Sequence, residues 1–452
     1  MRIKVVHARS PQRRRESRGI AEVVRPLGIL PRFLCASDAL CLLFWLVALT
    51  LPVCGQETLK QLESRALELK SRGDAAGSLE AWRRAAALDP KSPRIQDEIG
   101  FLLVVLKRRE EAVRSFERAI ALDAKFAPAH FHLGVLYWLQ QDPTRSIEQL
   151  QTAVALDGDN AEYRFHLGQA LNDTANYSAA LTQLQAATTL NPKNGESWNQ
   201  LGVARQRTGD AAGAVEAYRQ AIALNPASLD ARNNLGVMLV NSGRAEEGMA
   251  QFKQILDADP SNNMAHLNIG FAHLQKAELD QAEAQFREVI SREPNSALAH
   301  YDLGIALKQK DQLDAAKTEV QRALSLEPNL PEAHYTLGII HWQSGEFEQA
   351  AKEMQSAIAL SPDYGEAYFM LGTALKQKGD LAGAESALRK AIQLDPTNPG
   401  PYNTLGQLLR QKGDPEESRK MFAEGARMKD KKEAELGKML QKKPQSSQSS
   451  AP

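Results

Sequence analysis

Cysteine is nearly absent from this chain of 452 residues, and the three that occur, Cys35, Cys41 and Cys54, all precede residue 55. Everything after them is without disulfide or thiol redox chemistry. No Walker loop, HExxH, GxSxG or paired CxxC motif is found, so the usual carriers of phosphate, zinc-hydrolase and nucleophile-elbow chemistry are missing. Net charge is also missing: the formal value is zero. That balance is regional, because residues 59–426 hold 39 Lys/Arg against 48 Asp/Glu, a net of −9. Nucleic acid is therefore not expected as a partner, since it calls for a basic stripe along one face. Long apolar runs are scarce as well. The one that stands out is Ala39 to Val53, ALCLLFWLVALTLPV.

This run follows a basic leader, residues 1–38, with nine Arg/Lys against three acidic residues. A basic segment, an apolar segment and the small-residue site Val53-Cys54-Gly55 read as an export signal cut before Gln56. Fifteen residues fall short of the roughly 20 that span a bilayer comfortably. The alternative is retention of 39–55 as a membrane tether. Pro52-Val53 stands where lipidation at Cys54 calls for small residues, and Glu16 after Arg13-Arg14-Arg15 argues against twin-arginine export. The expected location is periplasmic or extracellular after cleavage near Gly55, or membrane-anchored through the apolar segment.

What the chain does contain is a period. Gly100, Gly134, Gly168, Gly202, Gly236, Gly270, Gly304, Gly338, Gly372 and Gly406 recur every 34 residues, each preceded by Leu or Ile. Twelve residues later comes a small residue (Ala112, Ser146, Ala180, Ala214, Gly248 and so on), where two helices cross closely. Four further on comes a large apolar one (Phe116, Leu150, Leu184, Tyr218, Phe252), one turn along the same face. Prolines from Pro192 to Pro396 at the same interval stop the second helix. Gly73, Gly209, Gly243, Gly345, Gly379 and Gly413 sit where a left-handed cap would end the first. A degenerate first unit, with Ala66 in the glycine place, completes the set.

These columns resemble the tetratricopeptide repeat (TPR) family, whose pattern is an aromatic, Leu-Gly, then Ala, Phe and Pro. Trp198-Asn-Gln-Leu201-Gly202 with Ala214, Tyr218, Ala221 and Pro226 is a close copy. The resemblance implies an all-α, right-handed superhelical solenoid of about eleven 34-residue helix-turn-helix units, forming one elongated body. The units are 59–92, 93–126, 127–160, 161–194, 195–228, 229–262, 263–296, 297–330, 331–364, 365–398 and 399–432. A short capping helix is expected over 433–443, then a disordered tail over 444–452.

Function in this family lies on the concave face, lined mainly by first helices. Two residues before each glycine stand His132, His166, Gln200, Asn234, Asn268, Asp302 and Thr336. The array is similar in repeat length and number to that of O-linked N-acetylglucosamine transferase, where asparagines in this column grip a peptide backbone. By that resemblance Asn234 and Asn268 form two rungs, with Gln200 as a substitute; the plain alternative is solvated helix residues. One position earlier Tyr301, Tyr335 and Phe369 form an aromatic row, with Lys308, Trp342 and Lys376 two turns along. Rings plus cations suit a peptide groove, and packing between repeats explains the same row. The acidic row Glu162, Glu196, Asp230, Glu332 and Glu366 is accounted for by helix N-termini. His130, His266, His300 and His334 share one column. Repeats about 10 Å apart cannot bring two imidazoles onto one zinc, so packing is expected and no metal or cofactor.

The expected function is a non-catalytic scaffold binding an extended peptide or partner protein around repeats five to nine. About twenty residues lie outside leader and array, too few for a catalytic domain. The alternatives are a substrate-recognition subunit for a separate enzyme such as a protein glycosyltransferase, or a self-assembling structural protein.

Overall fold

A computed structural model describes residues 57–441. The leader, the segment 39–55, all three cysteines and the tail 444–452 lie outside the described residues. Those described form 22 α-helices in an all-α repeat array. First helices begin at Leu59, Pro93, Ala127, Ala161, Gly195, Leu229, Asn263, Ala297, Pro331, Gly365 and Pro399, at steps of 34 residues.

Local chemistry sets these boundaries. First helices are opened by Ser92, Asn160, Asn194, Asn262, Ser296 and Asn398, whose side chains accept from backbone N–H groups of the first turn. Asp74, Asp142, Asp210 and Asp380 do the same for second helices. The turn between the two helices of a hairpin needs a left-handed residue. Six repeats place glycine there, from Gly73 (φ 80°) to Gly413 (φ 85°). Five do not: Lys107, Gln141, Ala175, Ala277 and Asp311 adopt φ 57–62°, a conformation that strains any residue with a Cβ.

Within each hairpin the large apolar plug lies on the periodic glycine. A Cβ on Gly270 would stand 2.5 Å from the Phe286 ring, and one on Gly202 2.5 Å from Tyr218. The small residue of the second helix touches the same region: Ser78 Oγ donates to the Ala66 carbonyl at 2.8 Å, and Ser418 Oγ to that of Gly406 at 2.7 Å. Trp82, Phe116, Tyr218, Phe252 and Phe286 are fully buried by this arrangement, each contributing about 2–3 kcal/mol of burial.

Where the repeats suggest one continuous body, the described residues fall into two units, one ending at Ala231 and the other beginning at Arg232. Each unit has its own apolar clusters. In the first they centre on Trp82 with Phe116 and on Tyr163 with Leu184. In the second they centre on Phe286 with Val320 and on Met354 with Leu388.

The separate capping helix expected at 433–443 is replaced by something simpler. A single helix runs unbroken from Pro415 to Gln441. Asp430 occupies the place where Pro396 stops the preceding repeat, so nothing interrupts the backbone bonds. Among the described residues no helix is long and apolar enough to cross a membrane.

Candidate functional site

Three residues before the periodic glycine and two before it in the next repeat, 35 positions on, meet across the repeat boundary. Asp97 Oδ1 lies 2.8 Å from His132 Nδ1, and Asn268 Nδ2 donates to Asn233 Oδ1 at 2.7 Å. Tyr301 OH lies 3.4 Å from Thr336 Oγ1, and the Phe131 and His166 rings are 5.3 Å apart. In the column read as a peptide-gripping ladder, His132, His166, Asn268 and Thr336 are thus engaged by the protein itself.

Gln200, in the first unit, receives hydrogen bonds from Asn172 Nδ2 on both its backbone carbonyl (3.0 Å) and Oε1 (3.1 Å), and gives its own Nε2–H to Glu196 (3.2 Å). Asn268 is buried with its amide committed to Asn233. Asn234 is half-buried. Of the asparagine pair, Asn268 therefore joins one repeat to the one before it.

Asp302 breaks the pattern. It stands in the same column, on the helix Ala297–Gln309, but the residue 35 positions earlier is Leu267, which has no polar atom to offer. Its carboxyl makes no hydrogen bond or ion pair with any described residue. Part of its surface stays open to solvent while protein atoms surround the carboxyl. This burial pushes its pKa up to about 7.

Six residues along the same helix, and about 120° round it, Lys308 is half-buried and also unpaired, its amine held below the usual lysine range by burial. In the next repeat Trp342 buries its indole N–H with no acceptor. Lys376, one repeat further, differs: its amine donates to Gln407 Oε1 at 2.7 Å.

The aromatic row divides between packing and lining. Tyr301 is buried, its hydroxyl directed at the Glu332 carbonyl (3.5 Å) and Thr336, and burial pushes its phenol up to about 12. Phe369 lies against Gly400, where a Cβ would stand 3.0 Å from the ring. Tyr335 is half-buried with its ring 5.0 Å from that of Tyr364. Burial raises both phenols, and the carboxylates of Glu332 and Glu366 add to the rise at Tyr364. Tyr364 was not among the residues expected from sequence. It sits at the N-cap of the helix Gly365–Lys378, in a connector outside the columns that were compared. The repeats in 297–378 thus carry Asp302 and Lys308 on one first helix, Tyr335 and Trp342 on the next, and Tyr364 at the entry to a third.

The first unit carries an aromatic cluster that column reading also missed. His132 lies 5.3–5.8 Å from the rings of Phe101, Phe116 and Phe131, and Phe131 stacks on Tyr163 at 4.7 Å. His166 lies 4.9 Å from Phe165, and burial among these rings lowers its pKa. The signal was present as Phe131, Phe165, His132 and His166 in adjacent columns.

The column of histidines works as a clasp. His266, His300 and His334 each donate Nε2–H to the proline carbonyl six residues back, at 3.1 Å, and His130 to Ala124 at 3.2 Å. Their Nδ1 atoms meet Gln149, Gln285, Glu319 and Glu353 of the second helix at 2.6–2.8 Å. Trp198 Nε1 (3.0 Å), Tyr402 OH (3.2 Å) and Arg164 Nε (2.5 Å) reach the equivalent carbonyls.

These features place the chain in a class of helical-hairpin repeat proteins. The family models for tetratricopeptide repeats match residues 102–161, 140–195, 165–215, 199–263 and 335–399, and 273–340 and 375–443. The chain belongs to the tetratricopeptide repeat family. It is similar to yeast Tom70 (16% identity, 86% of this chain and 97% of that one, TM-score 0.43). It is also similar to YrrB, described as having an unusual peptide-binding site (22% identity, 41% and 96%, TM-score 0.39), and to human IFIT1 with m7Gppp-AAAA (16%, 84% and 96%, TM-score 0.45). No curated relative matches.

Proposed function

We propose that the protein is a non-catalytic interaction scaffold that holds an extended peptide segment of a partner protein on the first-helix face of its second unit. Membership of the repeat family supports a protein-binding role. The observation that carries the placement is the half-buried aromatic group formed by Tyr335 and Trp342 on one first helix and Tyr364 at the entry to the next. Rigid rings at a partly open face supply contact area at low entropic cost. The negative balance of residues 59–426 favours protein over nucleic acid as the partner.

Photo-crosslinking tests this. The full chain with a benzophenone amino acid at position 335 should give discrete adducts with a partner protein in native extract. The same probe at Lys253, on an exposed second-helix position, should not. Equal labelling from both sites would count against the face. The segment 39–55 supports export or tethering in the same reading, and the intact mass of the native protein tests it: a chain beginning at Gln56 supports cleavage.

A further inference from the structure

Five positions after the periodic glycine, every first helix but two carries a polar residue: Ser71, Asp173, Arg207, Asn241 and five glutamines from Gln275 to Gln411. The exceptions are Val105 and Leu139, on adjacent repeats of the first unit. The fold therefore does not ask for an apolar side chain at this place, and these two are 54% and 45% exposed. Leu67, one position after the glycine place, is 47% exposed. Phe101 and Val135 hold that column in the next two repeats and are half-buried. Residues one and five after the glycine are i and i+4, neighbours on one face of a helix.

Phe101 links three first helices. Lys70 Nζ of the repeat before lies 4.2 Å from its ring centre, and the His132 ring of the repeat after lies 5.8 Å away. Leu59–Ser71, Pro93–Val105 and Ala127–Leu139 thus lie side by side and share an apolar strip, which at about 10 Å per repeat is about 20 Å long. Next to it Asp173 accepts from the Trp138 indole N–H at 2.7 Å, and the strip ends. An uncovered apolar strip bordered by polar residues marks an interaction surface.

The occupant follows from what the strip lacks. Leu67, Phe101, Val105, Val135 and Leu139 have no side-chain polar atom, so an extended segment laid on them would take its own N–H and C=O groups out of water without replacement. A helix bonds its backbone internally and brings only side chains. Charge beside the strip sets the rest. Lys60 lies seven residues before Leu67 and within about 20° of it round the helix, and Lys107 stands in the turn two residues after Val105. Both are exposed and carry no ion pair among the described residues. Residues 59–126 hold 14 Lys/Arg against 11 Asp/Glu, a net of +3, whereas 127–426 hold 25 against 37, a net of −12. A basic border on an otherwise acidic array selects an acidic partner.

We infer that the first unit carries a second docking surface, whose occupant is an amphipathic helix of a partner protein, about four turns long, with its apolar stripe on this strip and acidic residues beside the stripe. The site lies on a different unit from the aromatic group at Tyr335 and takes a helix where that face takes an extended segment.

The test is selection from an mRNA-displayed random octadecapeptide library on the full chain. Beside it run Val105→Asp/Leu139→Asp and Lys60→Glu/Lys107→Glu, whose changed side chains are exposed, each checked for unchanged helical circular dichroism. The parent should enrich a class with apolar residues at i, i+3 or i+4, and i+7 and acidic residues beside them. A synthetic member should gain helicity on binding and slow amide exchange in 93–105 and 127–139. Val105→Asp/Leu139→Asp should weaken it about tenfold or more, and Tyr335→Ala not at all. Exchanging its acidic residues for lysine should weaken binding to the parent and strengthen binding to Lys60→Glu/Lys107→Glu. No enriched class, a class without a helical period, or one indifferent to positions 105 and 139 would overturn the inference. A parent dimer or binding to phosphatidylserine vesicles, lost in Val105→Asp/Leu139→Asp, would overturn it by giving the strip another occupant, as would a crosslink from a benzophenone at position 105 to residues 39–53.

Discussion

Asn268 gives its side-chain amide to Asn233 at 2.7 Å, from one repeat to the one before it. The bond is part of how the stack holds together, and Asn268 is buried in making it. Replacing Asn268 by Ala removes the donor and leaves the Asn233 oxygen without it, an expected loss of about 1 kcal/mol. Denaturant unfolding should show the lower midpoint with unchanged native helicity. Adducts from a benzophenone at position 335 should change little, and their loss at full stability would return Asn268 to the ligand.

Asp302 predicts a pH dependence of stability. Its folded pKa of about 7 lies above the unfolded value of about 4. The folded state therefore binds the proton more tightly, and this contribution is complete below pH 4 and lost as pH rises to about 7. Asp302→Asn should be more stable than the parent at pH 8, on the order of 2 kcal/mol after allowing for partial solvent screening. The gap should close by pH 4.5. Thermal melts across that range decide it, and a constant difference would mean the carboxyl is not buried as described.

The five left-handed turns without glycine store strain. Ala277→Gly and Ala175→Gly should each stabilise by about 1 kcal/mol, since φ near 60° is free for glycine alone. The reciprocal change, Gly209→Ala, meets nothing within 4 Å, so its loss of about 1 kcal/mol is purely conformational. Chemical denaturation of the three variants measures both signs.

Gly270→Ala is expected to act through space instead. Its Cβ would fall 2.5 Å from Phe286, forcing a shift that costs about 1–3 kcal/mol. Combining it with Phe286→Leu should recover part of what the two lose singly, as contacting residues do. Additive losses in the double variant would show that the glycine and the ring do not meet.

Most of the fold was legible in sequence because one period governs glycine, plug and proline alike. The helices follow from that period and the small, local rules of capping. The site was less legible for a geometric reason. Columns compare like with like at 34 residues, whereas Asp97 with His132, Asn233 with Asn268 and Tyr301 with Thr336 meet at 35. Asn268 looked open until its partner Asn233, one column over, was in place. The same offset isolates Asp302, since Leu267 stands opposite. Tyr364 escaped because it precedes its helix, and the unbroken helix Pro415–Gln441 because a missing proline is harder to notice than a present one.

In seven repeats the clasp between the first helix and the carbonyl six residues back is made by histidine, arginine, tryptophan or tyrosine. What the connector requires is a hydrogen-bond donor at a fixed reach, and four chemistries supply it. The joints between hairpins are thus standardised while the faces they carry are not. Exchanging a hairpin such as 297–330 for another from the same chain would keep the connector bond while replacing the side chains, Tyr301 against Thr336 among them, that meet the next repeat.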